Sequence, residues 1–278
     1  MTMFEMDLWM SLAYFIEQKV DYCIIEAGMG GRLDATTALD YQACLITNVG
    51  LDHTEYLGNT FEQIAYEKSG IFKPNVPALT TEDKPECRKV MELVADYMNT
   101  PLCFIDCQET DVLRWNGMTF HLNPPLYQAK NLSLALETLN VLGIWLEENE
   151  IQEVIDHFQW AGRFMVLRKA PLVLLDGAHN VHGITALIHA LKNFHGKIYF
   201  SVLKEKDAPH MIELLQTISK DITLVEISSA RLYPLEKLGY PIITVDELIS
   251  RLLDTKEDSL LCGSLYYVGE VLEKWGNV

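Results

Sequence analysis

Positive charge is what this chain has least of for its size. Twenty-two lysines and arginines stand against 39 aspartates and glutamates in 278 residues, a formal net charge of −17. That balance argues against a nucleic-acid partner, which calls for a basic face. A small polyanionic ligand stays open, because a local basic pocket can exist inside an acidic protein. No apolar run reaches the roughly 18 residues of a membrane span. The first ten residues carry Glu5 and Asp7, where a signal peptide carries positive charge. The expected setting is cytoplasmic, with no membrane partner. Cysteine is sparse: Cys23, Cys44, Cys87, Cys103, Cys107 and Cys262 mostly lie in apolar runs and read as buried free thiols of a reducing compartment. Cys103 and Cys107 have no second pair at zinc-site spacing, which argues against a structural metal. The most telling absence is a phosphate-cradling G-x-x-x-x-G-K-[ST] loop, to which nothing in the chain matches.

What is present is an ordinary globular composition, 49% hydrophobic and 22% charged, at a length that suits two domains. Apolar strands alternate with amphipathic helices, the pattern of an α/β protein with a largely parallel sheet. Strands are expected at 21–27, 43–48, 77–80 and 102–106, with helices at 8–18, 61–69, 86–99, 130–149 and 150–158. Asn116-Gly117 inside 111–122 signals a β-hairpin. A boundary is expected near Gln159 to Gly162, dividing the chain into 1–160 and 161–278, two units expected to share a cleft. The second has strands at 172–176, 197–203, 222–226, 242–245 and 259–262 and reads as a compact Rossmann-like domain.

Three clusters between Ile25 and Phe72 carry chemistry. Glu26 precedes Gly28, Gly30 and Gly31 at the expected end of a strand, the edge where ligands of open α/β sheets bind. A carboxylate there suits Mg2+ beside phosphate oxygens, and a plain turn with a solvated acid is the simpler alternative. His53 in Leu51-Asp-His-Thr-Glu-Tyr-Leu-Gly58 follows the next strand, placed either as a metal ligand or as a hydrogen-bonded loop residue. Lys68 in Glu67-Lys-Ser-Gly-Ile-Phe72 is, by itself, a lysine in the last turn of a helix capped by glycine. In the second half, Asp176-Gly-Ala-His-Asn180 follows a strand and precedes a helix, so that Asn180 as an N-cap and Asp176 as a turn former are also open. Asn131 near a helix start is a cap candidate, and Arg163 is either a phosphate clamp or a partner for an acid at the boundary.

Taken in order, Phe4-Glu5, Glu26-Ala-Gly-Met-Gly-Gly-Arg-Leu-Asp-Ala-Thr36, Asp52-His-Thr-Glu-Tyr-Leu-Gly58, Glu67-Lys-Ser-Gly-Ile-Phe72, Gln128-x-x-Asn131, Gly162-Arg-Phe164, Asp176-Gly-Ala-His-Asn180, Lys206-Asp207 and Gly263-Ser264 closely resemble the folylpolyglutamate synthase and dihydrofolate synthase family of the Mur ligase superfamily. Val181 stands where the family usually has proline. The resemblance implies an α/β fold: an incomplete Mur-ligase central domain, with a parallel sheet like that of P-loop NTPases, followed by a Rossmann-like carboxyl-terminal domain. It also implies that the amino-terminal portion bearing the phosphate loop is lacking. Glu26 and His53 would be Mg2+ ligands and Lys68 would be carbamylated. Asn131, Arg163 and Asp176 would hold ATP, and Asp34, His179 and Ser264 would lie near the incoming glutamate or the acyl phosphate.

The reaction so implied is the ATP-dependent addition of L-glutamate to a folate or to dihydropteroate, by a monomer, through an acyl phosphate. Phosphoryl transfer depends mostly on positioning and charge neutralisation, so a chain without the phosphate loop is expected to have little activity alone. The alternatives are a non-catalytic nucleotide-binding or interaction protein, and one half of a split enzyme whose phosphate loop comes from a separate chain.

Overall fold

The computed structural model describes residues 1–276 apart from Pro124 and Lys192. It divides into two compact units, one of residues 1–120 with 128–148 and one of 121–127 with 149–278. In the first, α1 (Met3–Gln18) opens on a capping box between Thr2 and Glu5, which satisfies two orphan amides of the first turn. It is longer than the expected helix and buries none of its residues, with Met3, Trp9 and Ile16 at 80%, 66% and 79% exposure. The expected strand at 21–27 does not form: the segment is irregular and Ile24 is 93% exposed. Its apolar run has strand character, but a strand needs a hydrogen-bonded neighbour and the sheet that forms does not include it.

That sheet has three parallel strands in the order β1 (Cys44–Ile46), β2 (Ala78–Thr80) and β3 (Leu102–Phe104). The short α2 (Thr54–Leu57) and then α3 (Phe61–Ser69) follow β1, and α4 (Pro85–Met98) crosses between β2 and β3. Ile64 and Ala65 of α3 and Cys87, Met91 and Ala95 of α4 pack with Cys44, Ile46 and Ala78 in one core. Next come β4 (Val112–Trp115) and β5 (Met118–His121), paired as the expected hairpin. Asn116 and Gly117 between them have φ of 47° and 83°, the left-handed pair that such two-residue turns require. The helix expected at 130–149 is α5 (Gln128–Val141); Gly143, at φ 69°, follows its end.

The second unit contains α6 (Glu148–His157) except for its first residue, β6 (Met165–Lys169), β7 (Leu172–Leu175), α7 (Val181–Ala190), β8 (Lys197–Phe200), α8 (Ala208–Leu215), β9 (Ile222–Glu226), β10 (Ile242–Thr244), α9 (Val245–Asp254), β11 (Ser259–Cys262) and α10 (Leu265–Trp275). Its sheet runs β10-β9-β8-β11-β7-β6, parallel except for β6. The strands read as unbroken apolar runs because both faces are covered, as parallel sheets require. Leu174, Phe200, Leu224 and Leu260 pack with α7 and α8 on one face, and their sequence neighbours Leu175, Tyr199, Val225 and Leu261 pack with α9 and α10 on the other.

The thiols divide differently from the expectation. Cys44, Cys87 and Cys262 are buried, but Cys23 and Cys103 are exposed and Cys107 is half-buried; all are free. Cys23 lies on the segment that found no strand partner, and the middle residue of the short β3 turns its side chain outward. Among the described residues no helix is long and apolar enough to cross a membrane.

Candidate functional site

The glycine-rich loop of the first unit is built around Asp34. One of its carboxylate oxygens accepts the Gly28 and Met29 amides at 2.9 and 3.1 Å, and the other accepts the amide and hydroxyl of Thr36 at 3.0 and 2.7 Å. Burial pushes the Asp34 carboxyl up, but the bonds from Thr36, Met29 and Gly28 outweigh it and hold it below the usual carboxylate range. Both oxygens are therefore engaged in shaping the loop. Arg32 then fastens it to α3: its amide donates to the Glu67 carbonyl at 2.8 Å, and its guanidinium donates twice to one Glu67 carboxylate oxygen at 3.0 and 2.8 Å. Two glycines make this approach possible. A Cβ on Gly31 would stand 2.8 Å from the Lys68 carbonyl, and one on Gly70 would stand 2.3 Å from the Arg32 Cα.

The attachment fixes the loop against α3, and Lys68 of that helix is within electrostatic reach of Glu26 and Asp52. Lys68 is in the last turn of α3, ahead of the Gly70 cap. Burial lowers the pKa of its ammonium, and the negative charges of Asp52 and Glu26 work against that shift. Glu26, exposed, lies in irregular chain and not at a strand end. His53, also exposed, caps α2 with φ 50°, a left-handed conformation that histidine tolerates better than most residues. Its amide donates to the Asp52 carboxylate at 2.9 Å. Asp52 is the member that the motif reading passed over as a site residue, although it stood beside His53 in the sequence.

In the second unit Asp176 is 4% exposed at the end of β7. Its two oxygens accept the Phe164 and Ala178 amides, each at 2.7 Å. Burial raises its pKa, opposed by those two amides and by the charges of Arg163 and His179. Gly177 donates to the Gly162 carbonyl at 2.6 Å, and a Cβ on Gly177 would lie 2.7 Å from Arg163 Nη1. The Arg163 turn and the Asp176 loop are thus one knot, with Phe164 held at φ 46°. Burial, then Asp176, push the Tyr127 phenol up to about 12 against the opposing charge of Arg163; no motif pointed to Tyr127. His179 meets the Gly177 carbonyl through Nδ1 at 2.8 Å. Asn180 caps α7 by accepting the Gly183 amide at 2.7 Å, and the buried Ser264 caps α10 by accepting the Tyr266 amide at 3.2 Å. Asn131, in the first unit, lies exposed in the first turn of α5 and donates to Gln128 at 2.9 Å.

The Mur ligase middle domain model matches residues 2–124. A Buchnera aphidicola dihydrofolate synthase/folylpolyglutamate synthase is 32% identical over 298 residues, covering 98% of this chain and 71% of that protein. The chain belongs to the dihydrofolate synthase/folylpolyglutamate synthase family. The Bacillus subtilis member is 29% identical, covering 98% of the chain and 72% of its own length. Among solved structures of the family, Escherichia coli FolC in complex with ADP superposes with a TM-score of 0.86 at 27% identity, covering 100% of this chain and 72% of that one. The two expected α/β architectures accord with these likenesses.

The carboxylates of Glu26 and Asp52 are the kind of oxygen donor that a hard divalent cation prefers. Mg2+ takes one or two carboxylates and completes its shell with water and phosphate oxygens, so a pre-assembled triad of protein ligands is not required; among the described residues there is none.

Proposed function

We propose that this chain carries out the ligase chemistry of its family: it holds Mg-ATP while a carboxylate of a folate or of dihydropteroate is phosphorylated, and L-glutamate then displaces phosphate to form an amide. The observation that carries this reading is the electrostatic influence of Glu26 and Asp52 on the buried Lys68, in the helix to which the glycine-rich loop is fastened. It is supported by a family structure, 27% identical to this chain, that contains Mn, AMPPNP and L-glutamate. Glu26 and His53 would hold the cation, which supplies charge neutralisation at the transferring phosphoryl group. Asp34 shapes the loop. Arg163 offers its planar fork to phosphate oxygens, Asp176 holds the Arg163 turn in place, and Asn131 contributes to the nucleotide site. His179 and Ser264 serve the amino-acid side.

Lys68 has the properties that carbamylation needs. The free amine attacks CO2, so burial that lowers the ammonium pKa raises the reactive fraction at a given pH. The resulting anion, beside Asp52 and Glu26, requires a divalent cation to offset its charge. Incubation with 13C-bicarbonate and Mg2+ is expected to give one carbamate carbon resonance that is lost in Lys68→Ala; the same resonance in that variant would refute the assignment.

Nucleotide binding tests the reading directly. Calorimetric titration with Mg-ADP is expected to show binding that weakens roughly 10- to 100-fold in Arg163→Ala, the range for loss of a charge-assisted hydrogen bond. An unchanged affinity would remove Arg163 from the site, and an absence of binding by the parent chain would reject the nucleotide reading. A second reading, in which a separate polypeptide supplies the phosphate loop, is favoured by one observation, the exposure of the apolar residues of α1 and of Ile24. On this second reading such a polypeptide would cover this surface, and the 278 residues without it would turn over little.

A further inference from the structure

We propose that Glu82 is a positioning residue for the candidate cation loop, holding the segment from Val49 to His53 in place through a buried carboxylate. Glu82 follows β2 and is 2% exposed. One carboxylate oxygen accepts the amide of Val49, 33 residues away in sequence and itself fully buried after β1. The other accepts the amides of Asp83 and Lys84 at 3.1 and 2.8 Å and the Lys84 ammonium at 3.2 Å. The Thr80 hydroxyl accepts the Glu82 amide at 3.0 Å, and the Thr81 hydroxyl donates to the Thr47 carbonyl at 2.7 Å, so two adjacent residues tie the end of β2 to the chain leaving β1.

From Val49 the connections continue toward the cation residues. The Asp52 amide donates to the Gly50 carbonyl at 3.1 Å, and the His53 amide donates to the Asp52 carboxylate at 2.9 Å. A buried ionised group is costly unless its hydrogen-bonding capacity is met. Here four donors meet it, and one of them is the amide that starts the loop. Glutamine has the same shape but only one acceptor oxygen. Its amide nitrogen would therefore face either the Val49 amide or the Asp83 and Lys84 donors, and the loop would lose its anchor with the packing volume unchanged.

This inference rests on the reading of His53 as a cation ligand, and the test separates the two. Mn2+ is titrated into the 15N-labelled chain while the paramagnetic broadening of the 52–56 amides is followed, in the parent, Glu82→Gln and His53→Ala, with the thermal midpoint of each recorded. Residues behind metal ligands typically carry 10- to 100-fold in affinity, so the Mn2+ concentration for half-broadening is expected to rise about tenfold or more in Glu82→Gln while the fold persists. Unchanged broadening in Glu82→Gln with weakened binding in His53→Ala would overturn the role of Glu82. Unchanged binding in His53→Ala would refute the ligand reading and, with it, this inference. If Glu82→Gln does not fold, Glu82→Asp, which keeps the charge but reaches less far, carries the same comparison.

Discussion

Adding the phosphate-loop segment of a full-length relative as a separate polypeptide is expected to raise ATP-dependent glutamate ligation at least about 10³-fold over this chain alone. The size follows from what the segment brings. A single well-placed donor to a transition-state charge is worth roughly 10² to 10³ in turnover, and a phosphate loop brings a nest of backbone amides together with a lysine. The same addition should be visible without turnover. Met3, Trp9, Ile16 and Ile24 are all more than half exposed, a concentration of apolar surface that marks an interaction site or an aggregation hazard. An environment-sensitive dye such as ANS should bind the chain alone and be displaced by the segment. Ligation by the chain alone at the rate of a full-length relative would sink the prediction, as would dye fluorescence and ligation that both ignore the added segment.

Gly70→Ala is expected to lower the stability of the first unit by about 3 kcal/mol or more, the upper range for forcing atoms into filled space, and to abolish site-specific Mn2+ binding. Gly70 has φ −62°, so alanine meets no backbone strain there, and helix propensity favours alanine by about 1 kcal/mol. The steric term decides the sign. The new methyl would lie 2.3 Å from both Cα and Cβ of Arg32, atoms that cannot rotate away. Relief requires the loop to separate from α3, breaking the Arg32–Glu67 bonds and parting Glu26 from Lys68. A fall of about 6–12 °C in the melting midpoint is expected for a unit of this size. Gly276→Ala is the matched control, because Gly276 caps α10 at φ −68° and the nearest described atom to its new methyl, the Leu272 carbonyl oxygen, would be 3.3 Å away. A Gly70→Ala variant as stable as Gly276→Ala would show that the loop does not pack against α3 as described.

Much of the second unit was legible in sequence because a parallel strand covered on both faces writes itself as a short apolar run. Leu172–Leu175, Lys197–Phe200 and Ser259–Cys262 each do so. The Asn116-Gly117 hairpin was legible because two-residue turns depend on the turn residues themselves. The segment 21–27 has the same apolar signature yet forms no strand, since pairing depends on a neighbour and not on the run. In the candidate site, Glu26, His53 and Lys68 stood out through their motifs, and Asp52 lay beside one of them. Glu82 gave no signal, because its function as an anchor comes from an amide 33 residues distant. Asp34 and Ser264 were picked out by resemblance, but the hydrogen bonds that engage them in loop shaping and helix capping belong to the folded chain alone.

The strand order of the second sheet has a consequence for biosynthesis. β11 lies between β8 and β7 and pairs with both, although it is the last of the described strands in chain order. A ribosome moving at about 5–20 residues per second therefore delivers β7 and β8 into solution well before the strand that joins them. Until then the edges of Leu172–Leu175 and Lys197–Phe200 that β11 will occupy are open. Completion of this sheet has to wait until Ser259–Cys262 has been made, and until then a nascent chain carries two open β-edges.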